Sequence, residues 1–380
     1  MEVDLICRAF QQAGHDVTVV TVFSYANNIS SPLPYRVVEE SIMHRRFLPI
    51  QWGILKVLRK YSAQTDVFHV DGHSCLYAAG LYRLIGGRVP ISALFNRELV
   101  CWPECVSTLF PQAKGNIFIS AKKIIRRWIE KYLCMPIASR IDFVSFTNPV
   151  LEEAYKDFGL KIAGKSIIVG DPFDYQGLMA EEGIKPDSYQ QRNKKSYPLT
   201  IFYSSRMAPG KGFDLLITAF SKIKNKENFH LILGGSGPEE PFVHKMVKDL
   251  GLEAYVELPG WVSKEQVHAF YKQADIFVQA SWRNDMTSMS LLTAMTFGLP
   301  NILPAGGGLE WVGQKSAVYF KAMDCDDLAR KIEQLGNDYE LRNELSRQCY
   351  VRLSSEQMNY EKQIMRICEA MKDLIDNRGN

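Results

Sequence analysis

The sequence predicts an α/β fold made of two doubly wound, Rossmann-like domains. Short apolar runs alternate with longer amphipathic stretches as far as Asp326, and the chain is helical from there to its end. The apolar runs are continuous rather than alternating, which marks strands buried on both faces of a parallel sheet under helices. A polar break containing QQRNKK (190–195) divides the series, and a fresh strand follows it.

Composition agrees with a folded chain of more than one domain. The 380 residues are 46% hydrophobic and 23% charged. That excludes disordered, collagen-like and membrane-bundle classes. A chain of this length buries enough apolar surface to fold without disulfides or metals. The net charge of +3 is too balanced for a dedicated nucleic-acid binder. The balance is uneven, however: residues 44–140 carry a net +10, leaving −7 for the rest. Such asymmetry suits either an anionic surface or substrate near the first half, or a solvated basic face. Eight cysteines show no paired zinc-site spacing and read as reduced and mostly buried. Neither a signal peptide nor an uncharged apolar run of about 18 residues is visible, so the expected location is cytoplasmic.

The first half opens on an amphipathic helix, and the first visible strand, Val17–Phe23, comes after it. A doubly wound domain normally opens with a strand that lies in mid-sheet. The N-terminal domain therefore lacks its expected first strand. Either the natural start lies upstream of Met1 or this sheet is reduced. The runs Val67–Val70, Pro90–Phe95, Ile141–Phe146 and Ser166–Val169 supply further strands, and Pro149–Phe158 a helix. Asp71 and His73 follow one strand and Arg97 another, a suitable place for ligand contacts, although each residue type also serves as a surface or capping group. His69 lies within a strand and reads as structural. Ser120–Leu133 (SAKKIIRRWIEKYL) sets Ile124, Ile125, Trp128 and Ile129 beside four cations. It reads either as a domain helix with a basic outer face or as a segment lying on an anionic membrane. The domain boundaries expected are 1–175, a linker at 176–198, a second domain at 199–352, and closing helices at 353–380 that return to the first domain.

The second half is more informative. In LTIFYSSRMAPGKGFDLLITAF (199–220) a buried strand ends near Arg206, a loop carries Lys211 and Gly212, and a helix starts near Phe213. Two cations at a strand's C-terminal end beside a helix N-terminus suit a diphosphate. The bland alternative is a surface loop with solvated cations. LILGGSGP (231–238) only loosely matches a dinucleotide fingerprint, so its glycines read as tight turning and close packing. Ser281–Met295 follows the strand Ile276–Gln279 and enters a helix. Gly306–Gly308 follows the strand Asn301–Pro304.

These pieces together resemble one family. SSRMAPGKGFDLLITAF, LGGSGP, LPGWVSKEQVHAFYKQADIFVQAS and AMTFGLPNILPAGGGLEWV stand in the order and spacing of the family-4 retaining glycosyltransferases, which have the two-domain GT-B fold. DVTVVT and IIVGDPFD occupy its upstream landmarks. The resemblance implies transfer of a sugar from a nucleotide-sugar donor to a glycan or lipid-linked acceptor, with retention at the anomeric carbon. Polysaccharide biosynthesis is the implied setting, at the inner face of a membrane where the acceptor is a lipid. Arg206 and Lys211 would neutralise the diphosphate leaving group, and no metal or other cofactor is expected. The donor would contact Gly235, the stretch from Gly260 to Val262, and Ser288, Leu292 and Thr293. The acceptor would enter from the side of Asp71, His73 and Arg97.

The chain departs from the family where two glutamates stand eight residues apart. Here those positions hold Asp285 and Thr293. A threonine cannot accept two ribose hydrogen bonds as a carboxylate does, and charged hydrogen bonds contribute about 1.5–3 kcal/mol. Weaker donor binding, an altered donor or a catalytically silent scaffold protein are the outcomes compatible with that change. A sugar-nucleotide epimerase on the same fold is a more distant rival. Asp324-Cys325-Asp326 superficially matches the metal motif of the single-domain glycosyltransferase fold, but it precedes a helix and reads as its cap.

Overall fold

A computed structural model describes residues 2–22, 33–40, 47–95, 124–186, 188–189, 197–281 and 288–376. The chain divides into two compact units. The first runs to Phe173 and takes back the chain from Glu356 onward. The second contains Asp174–Ser355.

The first unit begins with α1 (Glu2–Gln12), β1 (Thr18–Thr21), β2 (Arg36–Glu39) and α2 (Phe47–Tyr61). It continues through β3 (Phe68–Asp71), α3 (His73–Leu84), β4 (Ile91–Phe95) and α4 (124–138). Then come β5 (Phe143–Phe146), α5 (Pro149–Asp157) and β6 (Ser166–Ile168). Its strands form two parallel sheets, β1-β2 and β3-β4-β5-β6. Among the described residues no ladder joins the two. β4 is buried along its whole length, whereas β1 is exposed or half-buried.

The second unit begins with α6 (Tyr175–Glu182), β7 (Leu199–Ser204), α7 (Phe213–Ser221), β8 (Phe229–Gly234) and α8 (Glu240–Asp249). After these come β9 (Val256–Gly260), α9 (Lys264–Gln273), β10 (Ile276–Val278) and α10 (Met289–Thr296). The unit closes with β11 (Asn301–Pro304), α11 (Gly307–Gly313), β12 (Ala317–Phe320), α12 (Cys325–Asn337) and α13 (Tyr339–Leu353). One six-stranded parallel sheet has the order β12-β11-β10-β7-β8-β9. This is a complete Rossmann winding, with its switch point between β7 and β10. Phe202, Tyr203, Phe213, Phe277, Tyr271 and Phe297 fill the core around β7.

Local sequence explains the element ends. Ser263 and Gln266 close a reciprocal capping box on α9. Asp324 accepts from the Asp326 and Asp327 amides and caps α12, as its sequence context suggested. The stretch 176–198 is more than a link. Glu182 of α6 pairs with His268 Nδ1 at 2.6 Å and Lys272 Nζ at 2.6 Å on α9. Hydrogen bonds from Lys272 and His268 hold the Glu182 carboxyl below its ordinary range. Tyr189 is fully buried and donates to the Asp275 carbonyl. The last helix, α14 (Tyr360–Asp376), packs Ile364, Ile367, Cys368 and Met371 against Ile6, Ala9 and Phe10 of α1.

The six cysteines among the described residues are free thiols, five of them buried. Burial pushes Cys349 up to about 12 and Cys7 to about 11. Cys101 and Cys105 lie outside the described residues. No helix among the described residues is long and apolar enough to cross a membrane.

Candidate functional site

The loops leaving β7, β8 and β9 meet at one end of the second sheet, and backbone contacts tie them together. Ser205 N–H donates to Gly234 O at 3.2 Å, Met207 N–H to Ser236 O at 2.9 Å, and Gly235 N–H to Gly260 O at 2.7 Å. The approach is close enough to require glycine. A Cβ on Gly235 would stand 1.9 Å from Ser205 O, and one on Gly237 would stand 2.4 Å from Met207 O. The packing role read from LGGSGP is therefore observed.

The loop 205–212 carries the two cations. Tyr203, buried in β7, donates to Lys211 O at 2.8 Å and fixes the far end of the loop. Gly212 then starts α7 with φ of 76°, and a Cβ there would stand 1.8 Å from Ala280 O. Gly212 thus seats the start of α7 directly against the chain leaving β10. Gly212 has no side chain to cap α7, while Asp214 in the first turn accepts from Leu215 N–H at 2.8 Å, so the helix dipole and the amides ahead of Leu215 face the loop. Arg206 is exposed and makes no ion pair with another described residue, and Lys211 is half-buried.

Two acidic groups accompany this loop and were not singled out from sequence. Glu239 N–H donates to Met207 O at 3.0 Å. Burial and the nearby Asp214 carboxylate raise the Glu239 carboxyl above its ordinary value. Only the paired glutamates after SGP signalled an acid here. Ser290 was also missed: its hydroxyl donates to Ser204 O at 3.1 Å, while its own carbonyl accepts from Tyr271. These bonds hold the first turn of α10 to the end of β7.

The other expected donor contacts divide. Ser288 is the N-cap of α10, its hydroxyl accepting from Leu291 N–H at 3.3 Å. Gly260 ends β9, and Val262 lies 3.6 Å from where a Cβ of Gly234 would stand. Leu292 is a correction. Its side chain is 1% exposed and its N–H is bonded to Ser288 O. It faces the core because apolar positions on α10 must cover the sheet, so it cannot line a ligand. Thr293 is half-buried and donates its hydroxyl to Met289 O at 2.8 Å, within its own helix. Asp285 and Arg97 lie outside the described residues. Asp71 ends β3 as an exposed residue, and His73 stands in the first turn of α3.

Two surface depressions, of about 180 and 360 Å³, lie elsewhere. One is lined by Glu181, Glu182, His268 and neighbours, the other by Arg59, Tyr82, Arg88 and neighbours. No group of His, Cys, Asp and Glu suited to a metal occurs among the described residues. On the first unit, α4 exposes Ile124, Ile125, Trp128, Ile129, Tyr132 and Leu133. Its Glu130 is buried and pairs with Arg126 at 3.1 Å.

The second unit is thus a complete Rossmann winding with laced glycine loops and two cations beside the start of α7. Residues 185–352, a little under half of the chain, match the family model for glycosyl transferases group 1. Mannosylfructose-phosphate synthase of Agrobacterium fabrum is 30% identical over 44% of this chain and 38% of its own length. The lipopolysaccharide core glycosyltransferase LpsE of Rhizobium meliloti is 26% identical over 65% of this chain and 68% of its own. The chain thus spans little more than a third of the first relative and about two thirds of the second. The fold is that of GT-B glycosyltransferases. Sucrose-phosphate synthase from Thermosynechococcus elongatus superposes with a TM-score of 0.75 at 18% identity, covering 99% of this chain and 93% of that one. The Anabaena protein HepE with UDP bound gives 0.71 at 16% identity, covering 98% and 96%.

Proposed function

We propose that the protein is a retaining glycosyltransferase that moves a sugar from a nucleotide-sugar donor to a glycan or lipid-linked acceptor. The observation that carries this reading is the Arg206–Lys211 loop, fixed at the switch point by Tyr203, Gly212 and the Gly234–Gly235 turn. The donor diphosphate lies over this loop, with the amides at the start of α7 toward its oxygens. As the glycosidic bond to the diphosphate breaks, negative charge builds on the leaving oxygen. Arg206, Lys211 and the α7 dipole stabilise that charge, and because the loop is already in place it need not reorganise. The base rests near Gly260–Val262. Side-chain cations rather than a bound metal do the neutralising.

The relatives favour a nucleotide sugar as donor, since HepE was crystallised with UDP and UDP-glucose. Thr293 offers the ribose a hydroxyl already engaged with Met289 O, so donor binding rests more heavily on the diphosphate loop. The test is calorimetry with UDP, GDP and ADP and their sugars, on this chain and on R206A/K211A. Saturable binding of one nucleotide is expected, weakened at least about tenfold in the double variant, given 1.5–3 kcal/mol per charged hydrogen bond. A folded chain that binds none of them would favour the silent-scaffold reading.

A lipid-linked acceptor is favoured by the exposed face of α4, where six large apolar side chains stand among Arg126, Arg127 and Lys131. Relatives include an α-monoglucosyldiacylglycerol synthase of Streptococcus pneumoniae. Such a face lies on an anionic bilayer with its aromatics at headgroup depth and its cations toward phosphate. Co-sedimentation with vesicles containing anionic lipid is expected, and to be lost in R126E/R127E/W128A. Equal binding by both proteins would count against this surface.

A further inference from the structure

The larger surface depression, of about 360 Å³, lies in the first unit where two helices end. Arg59 stands in the last turn of α2 and Ser62 in the turn after it. Tyr82 belongs to α3, and residues 85–89 carry the chain from α3 toward β4. The cavity therefore opens at the end of the sheet where β4 begins. Asp71, Gly72 and His73 stand at the other end, where β3 finishes. A ligand held here is separate from the expected acceptor side of the transferase site.

Close contacts build the wall of this cavity. A Cβ on Gly87 would stand 2.3 Å from the Tyr82 ring, so only glycine fits there. Gly87 N–H donates to Tyr82 O at 2.9 Å, and Arg83 donates to Gly87 O at 2.7 Å. The Phe68 ring meets Tyr82 edge-on at 5.8 Å. These contacts hold the turn in one shape before any ligand arrives, which lowers the cost of binding.

Charge in the cavity is one-sided. Arg59 and Arg88 line it, and among the described residues no acid does. Both arginines are exposed, and neither makes an ion pair or a side-chain hydrogen bond with another described residue. Carboxylates beside these elements are engaged elsewhere. Asp142 takes Arg83 at 2.7 Å and Ile91 N–H at 2.9 Å, and Glu40 takes Lys60 at 2.5 Å and Tyr61 O–H at 2.6 Å. The helix ends do not occupy the two arginines either. Thr65 Oγ1 donates to Tyr61 O at 2.8 Å, Ser62 Oγ to Arg59 O at 2.8 Å, and Gly86 N–H to Arg83 O at 3.2 Å. Tyr82 adds an independent observation. It is 3% exposed and its oxygen accepts from Val89 N–H at 3.3 Å, while its own O–H has no acceptor among the described residues. Two guanidiniums and a buried hydroxyl donor thus line a space that offers them no anion of its own.

We propose that this cavity is a binding site for a phosphomonoester dianion. Arg59 and Arg88 supply the opposite charge and charged hydrogen bonds, and Tyr82 O–H donates one more. The volume admits a phosphate that carries a small organic group. The phosphate reaches the site on a soluble ester or on a phospholipid headgroup, and the recognition chemistry is the same for both. This goes beyond the transferase reading and does not rest on it.

The test follows the backbone amide resonances of Ser62, Gly87 and Arg88 in the full chain during titration with inorganic phosphate and with glycerol 3-phosphate. Sodium chloride at matched ionic strength is the control. Saturable shifts are expected with both phosphates and not with chloride. The Kd should rise at least about tenfold in R59Q/R88Q, and about threefold or more in Y82F, which keeps the ring. Both arginines are exposed, so R59Q/R88Q tests the site even where Y82F loosens the turn. Vesicles of phosphatidylcholine with phosphatidic acid separate the two sources, in the R126E/R127E/W128A background so that α4 does not contribute. Sedimentation that requires Arg59 and Arg88 assigns the headgroup. Saturable binding of glycerol 3-phosphate without sedimentation assigns the soluble ester. The proposal is overturned if the shifts do not saturate, if chloride reproduces them, or if R59Q/R88Q binds phosphate as tightly as the parent chain. All three amides lie in the first unit, so phosphate held by Arg206 and Lys211 does not enter the readout.

Discussion

His69 shows how a single side chain can carry a pH dependence with no catalytic role. Burial pulls its pKa from 6.5 down to about 4. As pH falls below 6.5 the unfolded chain takes up this proton before the folded one does, so folding loses stability. The contribution is complete above about pH 6.5, declines toward pH 4, and changes little below that. The window corresponds to about 3 kcal/mol at 1.36 kcal/mol per unit. We expect the first unit's unfolding midpoint to fall across this range and H69Q to flatten the profile. Scanning calorimetry at pH 4.5, 5.5 and 7 is the check. An unchanged slope in H69Q would assign the loss to other groups. Arg206 and Lys211 could be singled out as candidates at this scale because cations, glycines and a helix start lie close together in sequence. Leu292 was misread because a motif position says nothing about which side of α10 faces the sheet.

Among the elements, β11 begins and ends where the pattern places it. It is a strong local signal, an apolar run bounded by turn residues. β2 and β12 went unread. Each is a four-residue strand at the edge of its sheet and partly exposed, so the apolar run is too short to stand out. The helix α14 belongs to the first unit through four buried side chains, Ile364, Ile367, Cys368 and Met371. At about 1.5–3 kcal/mol for each large buried aliphatic side chain, its removal takes away much of a domain's net stability. A chain ending at Ser355 should therefore lose the first unit's cooperative transition and keep the second's. Limited proteolysis would show it as a protected core beginning near Asp174. Retention of both transitions would mean that α1 packs adequately without it.

At the scale of the whole molecule, two units with separate cores make two-state unfolding a poor expectation. The candidate donor site lies wholly within the second. A bound nucleotide should therefore raise only the second unit's transition, by about 2.7 kcal/mol at a hundredfold excess over Kd. A thermal scan with and without ligand, read by one fluorescent reporter per unit, tests this. An equal shift of both transitions would show that the ligand bridges the units.

The sequence by itself determined the class of the fold, the order of most strands, and the loop that carries Arg206 and Lys211. All of these rest on neighbours within about twenty residues, where periodicity, caps and glycines act. Tertiary structure decided what depends on distant pairs. It made Gly212 obligatory through Ala280 O, sixty-eight residues away in the chain. It clamped α6 through Glu182 to His268 and Lys272. A local pattern records what a residue can do, whereas its partner is chosen only when the chain closes on itself and buried groups must find donors, acceptors and room.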